Sequence, residues 1–247
     1  ASVQVVTSPW ASSLYDLVES AEEQLLLVSP YLGRQPLTKI AQILHAKSSN
    51  SGVRVSVLTN LAVDNLLSGS LDICALRDLV FSLPGTIVTY LPGLHAKVYV
   101  ADARTAIISS GNLTAAGLTV NYEYGVLMRN SPLVATLTED ITRYALLGSK
   151  VSFETLEALA SATEDLKIVQ QRATRSISKN LRTEFEARTA QARLELLRIR
   201  AQGKTTHGIF SDTILYLLEQ KGPLTTAELH PFVQQIHPDL CDDSIDR

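Results

Sequence analysis

Several features that define other protein classes are scarce or missing in this sequence of 247 residues. It has two cysteines, Cys74 and Cys241, far apart and outside any C-x-x-C pattern, which excludes a disulfide framework and a cysteine-based zinc site. No apolar run approaches the roughly 18 residues that a membrane span requires, and the first residues lack the pattern of a signal peptide. We therefore expect a soluble, cytoplasmic protein with no membrane partner.

The composition is that of an ordinary globular chain, with 45% hydrophobic and 19% charged residues. A net charge of −3 argues against nucleic acid as a partner, but the charge is unevenly distributed. Residues 164–204 carry ten Lys/Arg and five Asp/Glu, whereas residues 205–247 carry two and seven. A basic segment therefore precedes an acidic one, and the average charge does not exclude a nucleic-acid partner.

The first 150 residues alternate between helical and strand-like periodicity. Helices are predicted over about 9–22, 35–48 and 64–81. The predicted strands are Gln24–Ser29, Val53–Thr59, Thr86–Tyr90, Lys97–Ala101, Thr105–Ser109 and Glu123–Met128. This order predicts an α/β domain with a mixed β-sheet flanked by helices, covering residues 1–150.

Beyond residue 150 the pattern is almost wholly helical. Residues 151–203 form a predicted helical linker or dimerisation segment, because no Pro or Gly occurs between Glu164 and Gln202. Four basic residues there share one helix face by their spacing: Arg172, Arg175, Lys179 and Arg182. The face either contacts DNA or is simply solvated, and the sequence leaves both open.

Residues 204–247 form a predicted small helical module. A helix over 210–220 ends at Gly222-Pro223, and Thr225 and Glu228 have the capping-box spacing that starts another. The order resembles a truncated winged-helix or helix-turn-helix unit. Its acidic charge makes an interaction or docking role as plausible as DNA binding.

The segment from residue 95 to residue 112 has a pattern typical of a catalytic site. The pattern is H-x-K-x4-D followed by S-S-x-N, and its residues are His95, Lys97, Asp102, Ser109, Ser110 and Asn112. It resembles the active-site motif of the phospholipase D superfamily, and the resemblance covers roughly residues 1–150. It implies cleavage of a phosphodiester through a covalent phosphohistidine.

The physical arrangement expected from the strands fits this chemistry. Residues two apart share a face of a strand, so His95 and Lys97 point the same way. The next strand runs back and can bring Ser110 and Asn112 to the same mouth. Lys97 and Asn112 could then hold the non-bridging oxygens as charge builds in the transition state.

The resemblance also assigns supporting positions. Glu123 occupies the place of an acidic residue that hydrogen-bonds the catalytic histidine, although a surface glutamate is the alternative. Ser110 is interpreted as a hydroxyl that orients phosphate or histidine, and Asp102 and Ser109 as supporting residues. The Ser-Pro-Tyr segment at 29–31 resembles a pocket lining, but a core tyrosine explains it equally well.

The chain has one motif, whereas superfamily members use two histidines, one as nucleophile and one as general acid. No other histidine has a lysine two residues later. The sequence therefore predicts a homodimer that brings two copies of His95 together. It predicts no metal and no cofactor, because no carboxylate cluster accompanies His95.

The substrate is predicted by analogy with the short, single-motif members. These resemble the nuclease branch, and the helical extension favours a restriction-type DNA endonuclease with a possible helicase-like ATPase partner. Two alternatives remain open: a phospholipid phosphodiesterase, and a non-catalytic DNA-binding or docking protein.

Overall fold

The structure is a computed structural model that describes residues 2–47, 52–176, 183, 187–188 and 206–236. The chain divides into two compact units, Ala1–Gln171 and Arg172–Arg247. The first unit extends past residue 150 because Leu156 and Ala160, from the helix that follows, are buried in its core. The division of the chain into segments 1–150, 151–203 and 204–247 stays a prediction.

Eight strands of the described chain form one mixed sheet. They are β1 (Ser2–Thr7), β2 (Gln24–Val28), β3 (Arg54–Thr59), β4 (Ile87–Tyr90), β5 (Val98–Ala101), β6 (Thr105–Ser109), β7 (Tyr124–Arg129) and β8 (Ser149–Val151). Their order across the sheet is β1-β7-β6-β5-β2-β3-β4-β8. The neighbours β2, β3 and β4 are parallel, and all other pairs are antiparallel. The predicted α/β fold with a mixed sheet is confirmed.

Helices cover both faces of this sheet. They are α1 (Ala11–Ser20), α2 (Arg34–Ala46), α3 (Val63–Leu67), α4 (Ile73–Ser82), α5 (Pro132–Leu147) and α6 (Phe153–Ser176), with a π-helical turn at Ala116–Val120. Alternate residues of β2 enter different cores: Leu25 and Leu27 pack with α1, α2 and α4, whereas Leu26 and Val28 pack with α5. Strand β2 is thus buried on both faces, which explains its continuous apolar run Leu25–Val28.

Four elements differ from the sequence prediction. The helix predicted over 64–81 is interrupted, because Gly69 adopts a positive φ of 76° and Asp72 caps α4 by accepting a hydrogen bond from Ala75 N at 2.9 Å. Strands β1 and β8 were not predicted, and neither was α5. Both strands lie at the edges of the sheet and are largely exposed, so their hydrophobic pattern is weak.

The second unit contains two described helices, α7 (Thr206–Lys221) and α8 (Thr226–Ile236). The predicted capping box is present, since the Glu228 carboxylate accepts hydrogen bonds from Thr225 N and Thr225 Oγ1, both at 2.8 Å. The Lys221 ammonium lies 4.2 Å from the centre of the Phe232 ring. The predicted helical C-terminal segment is therefore confirmed.

The predicted basic face lies only partly within the described chain. Arg172 and Arg175 belong to the last turns of α6, and the directions of their side chains are not described. Lys179 and Arg182 lie outside the described residues. The DNA-binding interpretation of these four residues stays a prediction.

Candidate active site

The motif residues meet at one end of the sheet. Strand β5 is antiparallel to β2, with Val98 opposite Val28, so the start of β5 lies at the carboxyl end of β2. Strand β6 ends and β7 begins at the same edge, where Ser109 is opposite Gly125. Loops that follow several strands can therefore contribute side chains to one place, which is where α/β sheets commonly bind ligands.

His95 and Lys97 form the centre of this place. The Lys97 Nζ atom lies 3.2 Å from each ring nitrogen of His95 and donates a hydrogen bond to the His95 carbonyl oxygen at 2.8 Å. His95 is exposed, whereas only 7% of Lys97 is accessible. Burial lowers the pKa of Lys97, and the negative charge of Glu123 partly opposes that shift. A fixed cation thus lies directly beside an accessible imidazole.

Ser110 and Glu123 form a hydrogen-bonded pair beside this centre. The Ser110 hydroxyl donates to Glu123 Oε2, and the same hydroxyl accepts a bond from Tyr124 N at 3.1 Å. Asn121 Nδ2 donates to Glu123 Oε1 at 3.2 Å, and Glu123 N donates to Ser8 Oγ at 2.8 Å. In the described chain Glu123 thus bonds Ser110 and Asn121, whereas the resemblance implied a bond to His95.

Asn112 belongs to the loop that follows β6. Its side chain is half-buried, and Asn112 Oδ1 lies 3.4 Å from the hydroxyl of Ser29, at the end of β2. Two glycines allow the loop to approach its neighbours closely. A Cβ atom at Gly111 would lie 2.7 Å from the Gly117 carbonyl oxygen, and one at Gly117 would lie 2.4 Å from the Asn112 carbonyl oxygen. The compact loop therefore requires glycine at both positions.

The two predicted supporting residues occupy different places. Ser109 Oγ accepts a hydrogen bond from Gly111 N at 3.0 Å and so belongs to the same loop as Asn112. Asp102 lies at the opposite end of β5, where its carboxylate accepts bonds from the backbone N–H groups of residues 22, 23 and 24, each at 2.8 Å. Asp102 therefore joins the β5–β6 hairpin to the start of β2.

The cleft nearest in size to a ligand pocket lies away from the candidate site. This cleft of about 460 Å³ is lined by residues such as Lys47, Arg54 and Pro84, at the opposite ends of β3 and β4. Among the described residues, no three His, Cys, Asp or Glu side chains gather where they could hold a metal ion. Within the same ranges, no helix combines the length and apolar character needed to cross a membrane.

Sequence reasoning did not identify several contacts of the site. Ser8 and Asn121 bond Glu123, and Ser29 and Tyr99 lie beneath the loop that carries Asn112. The Ser-Pro-Tyr pattern at 29–31 had been noted as a pocket lining, but the described contact with Asn112 comes from its serine. The local signal in the sequence was that Ser29 and Tyr99 carry hydroxyl groups in two predicted strands that are otherwise mainly apolar.

Comparisons with known proteins agree with this geometry. No curated protein matches the chain. Nuc, a phospholipase D family member from Salmonella typhimurium, is 23% identical with a TM-score of 0.50, over 61% of this chain and 97% of that one. NucT from Helicobacter pylori is 16% identical with a TM-score of 0.50, over 61% and 99%. A phosphatidylserine synthase from Haemophilus influenzae Rd KW20 is 18% identical with a TM-score of 0.53, over 70% and 45%. Because all three sequence identities are below 25%, these similarities show that the fold is shared and nothing more.

The match to a protein family is more specific than these likenesses. Residues 14–145, more than half of the chain, match the family described as cardiolipin synthase, PLD-like domain. The matched range includes His95, Lys97 and Asn112, together with the sheet that positions them. The chain therefore belongs to the phospholipase D-like family and has the fold of its phosphodiesterases.

Proposed function

We propose that this chain is a metal-independent DNA endonuclease of the restriction type, which cleaves phosphodiesters through a phosphohistidine at His95. The observation that carries this proposal is the Lys97 ammonium, 3.2 Å from both nitrogens of an exposed imidazole. A solvent-accessible nucleophile is thereby held beside a largely buried, fixed cation. A phosphate group is the natural ligand of such a pair, because the cation offsets the charge that repels an attacking nitrogen.

The proposed first step is an in-line displacement at phosphorus. A neutral ring nitrogen of His95 attacks, the P–N bond forms and the P–O bond to the leaving alcohol breaks. The leaving oxygen takes a proton from the imidazolium of a second histidine, which becomes neutral. That neutral imidazole then removes a proton from water, which attacks the phosphohistidine and releases His95 and a phosphomonoester. Lys97 and Asn112 bind the non-bridging oxygens in both steps, while Ser110 keeps its bond to Glu123 beside them.

The second histidine is proposed to be His95 of a second copy of this chain. One imidazole cannot attack and protonate the leaving group in the same step. The exposed position of His95 leaves room for a partner to approach it. A two-fold axis beside the site would supply both groups and enclose the phosphate.

DNA is the proposed substrate because the segment 164–204 carries a net charge of +5 in the sequence. The two described helices of the second unit follow this basic segment in the sequence. In this proposal they select the DNA target or bind a partner such as a helicase-like ATPase. Restriction-type cleavage of DNA is thus an interpretation of the whole chain, whereas phosphodiester chemistry depends on the first unit alone.

The test of this function is plasmid cleavage in excess EDTA. Wild-type protein should nick or linearise the plasmid, and His95→Ala should abolish cleavage. His45→Ala is the matched control, because His45 lies near the end of α2, away from the site, and this variant should keep full activity. Cleavage that needs a divalent ion, or that survives in His95→Ala, would contradict the proposal.

The shared site has its own test. Light scattering should give the mass of a dimer, near twice 26.9 kDa. Wild-type and His95→Ala chains carrying different affinity tags can be co-expressed and the mixed dimer isolated. The mixed dimer should be inactive if each site needs two copies of His95. A mixed dimer with half of the wild-type activity would show that each protomer acts alone.

A phospholipid is the second candidate substrate. The matched family is described by a cardiolipin synthase, and the likeness to the phosphatidylserine synthase covers 70% of this chain. Vesicles of phosphatidylglycerol separate the two candidates. If the protein converts the lipid but does not cleave DNA, a lipid phosphodiesterase is favoured. If it does neither but still binds DNA, a non-catalytic docking protein is favoured.

A further inference from the structure

Two buried hydroxyl groups lie directly beneath the loop formed by residues 109–113. One belongs to Ser29, at the end of β2, and the other to Tyr99, in the middle of β5. Both side chains are fully buried, with 0% of their surfaces accessible. The loop above them carries Asn112, proposed to hold a phosphate oxygen, and Ser110, which bonds Glu123.

Tyr99 holds the backbone of this loop. Its hydroxyl donates a hydrogen bond to the Gly111 carbonyl oxygen at 3.0 Å. The bonded carbonyl stands between Ser110 and Asn112 in the chain, so a shift of this peptide would move both side chains. The ring of Tyr99 is itself fixed against Trp10, with ring centres 5.6 Å apart. The hydroxyl therefore projects from a rigid base.

Ser29 holds the other side of the loop. Its hydroxyl accepts a hydrogen bond from Leu113 N at 3.1 Å, donates to the Tyr31 carbonyl oxygen at 2.8 Å, and lies 3.4 Å from Asn112 Oδ1. Since the one hydroxyl proton is donated to Tyr31, the bond from Leu113 N is the contact that ties Ser29 to the loop. Ser29 therefore fixes the peptide that directly follows Asn112.

These polar groups are unusual for their position. The rest of β2 and β5 near them is aliphatic, and a buried hydroxyl is unfavourable unless it is hydrogen-bonded. An alanine at 29 and a phenylalanine at 99 would fill nearly the same space without that requirement. The two hydroxyl groups form hydrogen bonds with residues 111 and 113, which aliphatic side chains could not form.

We propose that Ser29 and Tyr99 are positioning residues that act through the loop 109–113, holding residues 111 and 113 and so fixing the position of Asn112 between them. This inference rests on the proposed function, because it treats Asn112 as a ligand of the phosphate. A small displacement of such a group lowers the reaction rate strongly, because its bond to the substrate is strongest in the transition state.

The kinetic test uses bis(p-nitrophenyl) phosphate as the probe. Tyr99→Phe and Ser29→Ala should each lower kcat about ten-fold with little change in KM. Thr163→Val is the matched control: it removes a buried hydroxyl in α6, whose bond is to the Leu159 carbonyl oxygen, and it should leave both constants unchanged. An equal loss of kcat in Thr163→Val would show that the effect is merely structural.

A double-mutant cycle tests whether Ser29 acts through Asn112. Ser29→Ala should lower kcat much less in an Asn112→Ala background than in the wild type, because the group it positions is gone. Equal losses in both backgrounds would overturn the inference for Ser29.

Amide hydrogen exchange tests the same contacts without any activity. Ser29→Ala should speed exchange of the Leu113 amide about ten-fold, while the Val100 amide in β5 should exchange at its wild-type rate. If wild-type protein cleaves no phosphodiester, the proposed function fails, and exchange still reports on the loop. If it cleaves normally and the two variants change neither kcat nor exchange, the inference fails and the function stands.

Discussion

Replacement of Asp102 by asparagine should destabilise the first unit without changing the chemistry at His95. Asparagine tolerates the positive φ of 53° at this position, so the change tests the carboxylate rather than the backbone. About five residues of strand separate Asp102 from Lys97, or roughly 16 Å at ~3.3 Å per residue. The carboxylate therefore cannot touch a phosphate bound beside Lys97.

The magnitude follows from the three backbone N–H groups that Asp102 binds at 2.8 Å. A hydrogen bond to a charged group contributes about 1.5–3 kcal/mol, and a neutral one about 1 kcal/mol. Asparagine would lose one bond and weaken two, for a gross loss of about 4 kcal/mol. Because this turn is partly exposed to water, we expect about half of that, or roughly 2 kcal/mol.

The same hydrogen bonds make the loss of stability in Asp102→Asn depend on pH. Burial alone would raise the pKa of Asp102, but the N–H bonds from Gln24, Glu23 and Glu22, together with Arg104, hold it below its usual value. A lowered pKa in the folded state means that the carboxylate stabilises the protein above its unfolded pKa of about 3.9. The difference between the wild type and Asp102→Asn should therefore be complete at neutral pH and disappear as the pH falls through the lower folded pKa.

Urea unfolding followed by the fluorescence of Trp10 measures this difference. Trp10 is the one tryptophan of the chain and is 1% exposed in the core of the first unit. The midpoint should fall in Asp102→Asn, while kcat per folded molecule should equal that of the wild type. An unchanged midpoint would refute the assigned role, and a loss of kcat comparable to that of His95→Ala would place Asp102 in the chemistry.

Three further predictions concern the site and its supports. Glu123→Gln removes a charge that raises the pKa of Lys97 against the effect of burial, so the pKa of Lys97 should fall further in an NMR titration of its side chain; an unmoved pKa would contradict it. Gly111→Ala would place a Cβ atom 2.9 Å from the Trp10 ring, and we expect a loss of about 1–3 kcal/mol in urea unfolding, with altered Trp10 emission; wild-type stability would show that the loop can relax. Ala103→Gly should increase the free energy of unfolding by up to about 1 kcal/mol and so raise the melting temperature slightly, because Ala103 has a positive φ of 51° that glycine adopts without strain; a lower melting temperature would contradict this.

The strands in the middle of the sheet could be predicted because each contains several consecutive or alternating buried apolar residues, such as Leu25–Val28 in β2. Their two buried faces leave a local signal that needs no knowledge of neighbours. Edge strands lack that signal: β1 exposes Val3 and Val5, and their stability comes from pairing with β7, more than 100 residues away. A hydrophobic pattern cannot reveal a pairing partner at that distance.

The side chains proposed to carry the chemistry were determined by the sequence alone. His95 and Lys97 are two residues apart in the motif, and this spacing was enough to identify them, although the structure places both just before β5 rather than within a strand. The family could likewise be inferred from the spacing of a few residues within one hairpin.

Only the tertiary structure decided what surrounds those side chains. The contact of Ser29 with Asn112 joins residues 83 positions apart, and the bond from Glu123 to Ser110 depends on how β7 pairs with β6. Tyr99 could be predicted to be buried, but its bond to the loop requires the approach of Gly111. Local periodicity determines which face a residue occupies, whereas the order of strands in a sheet is set by the burial of the whole core, and that order determines which groups meet.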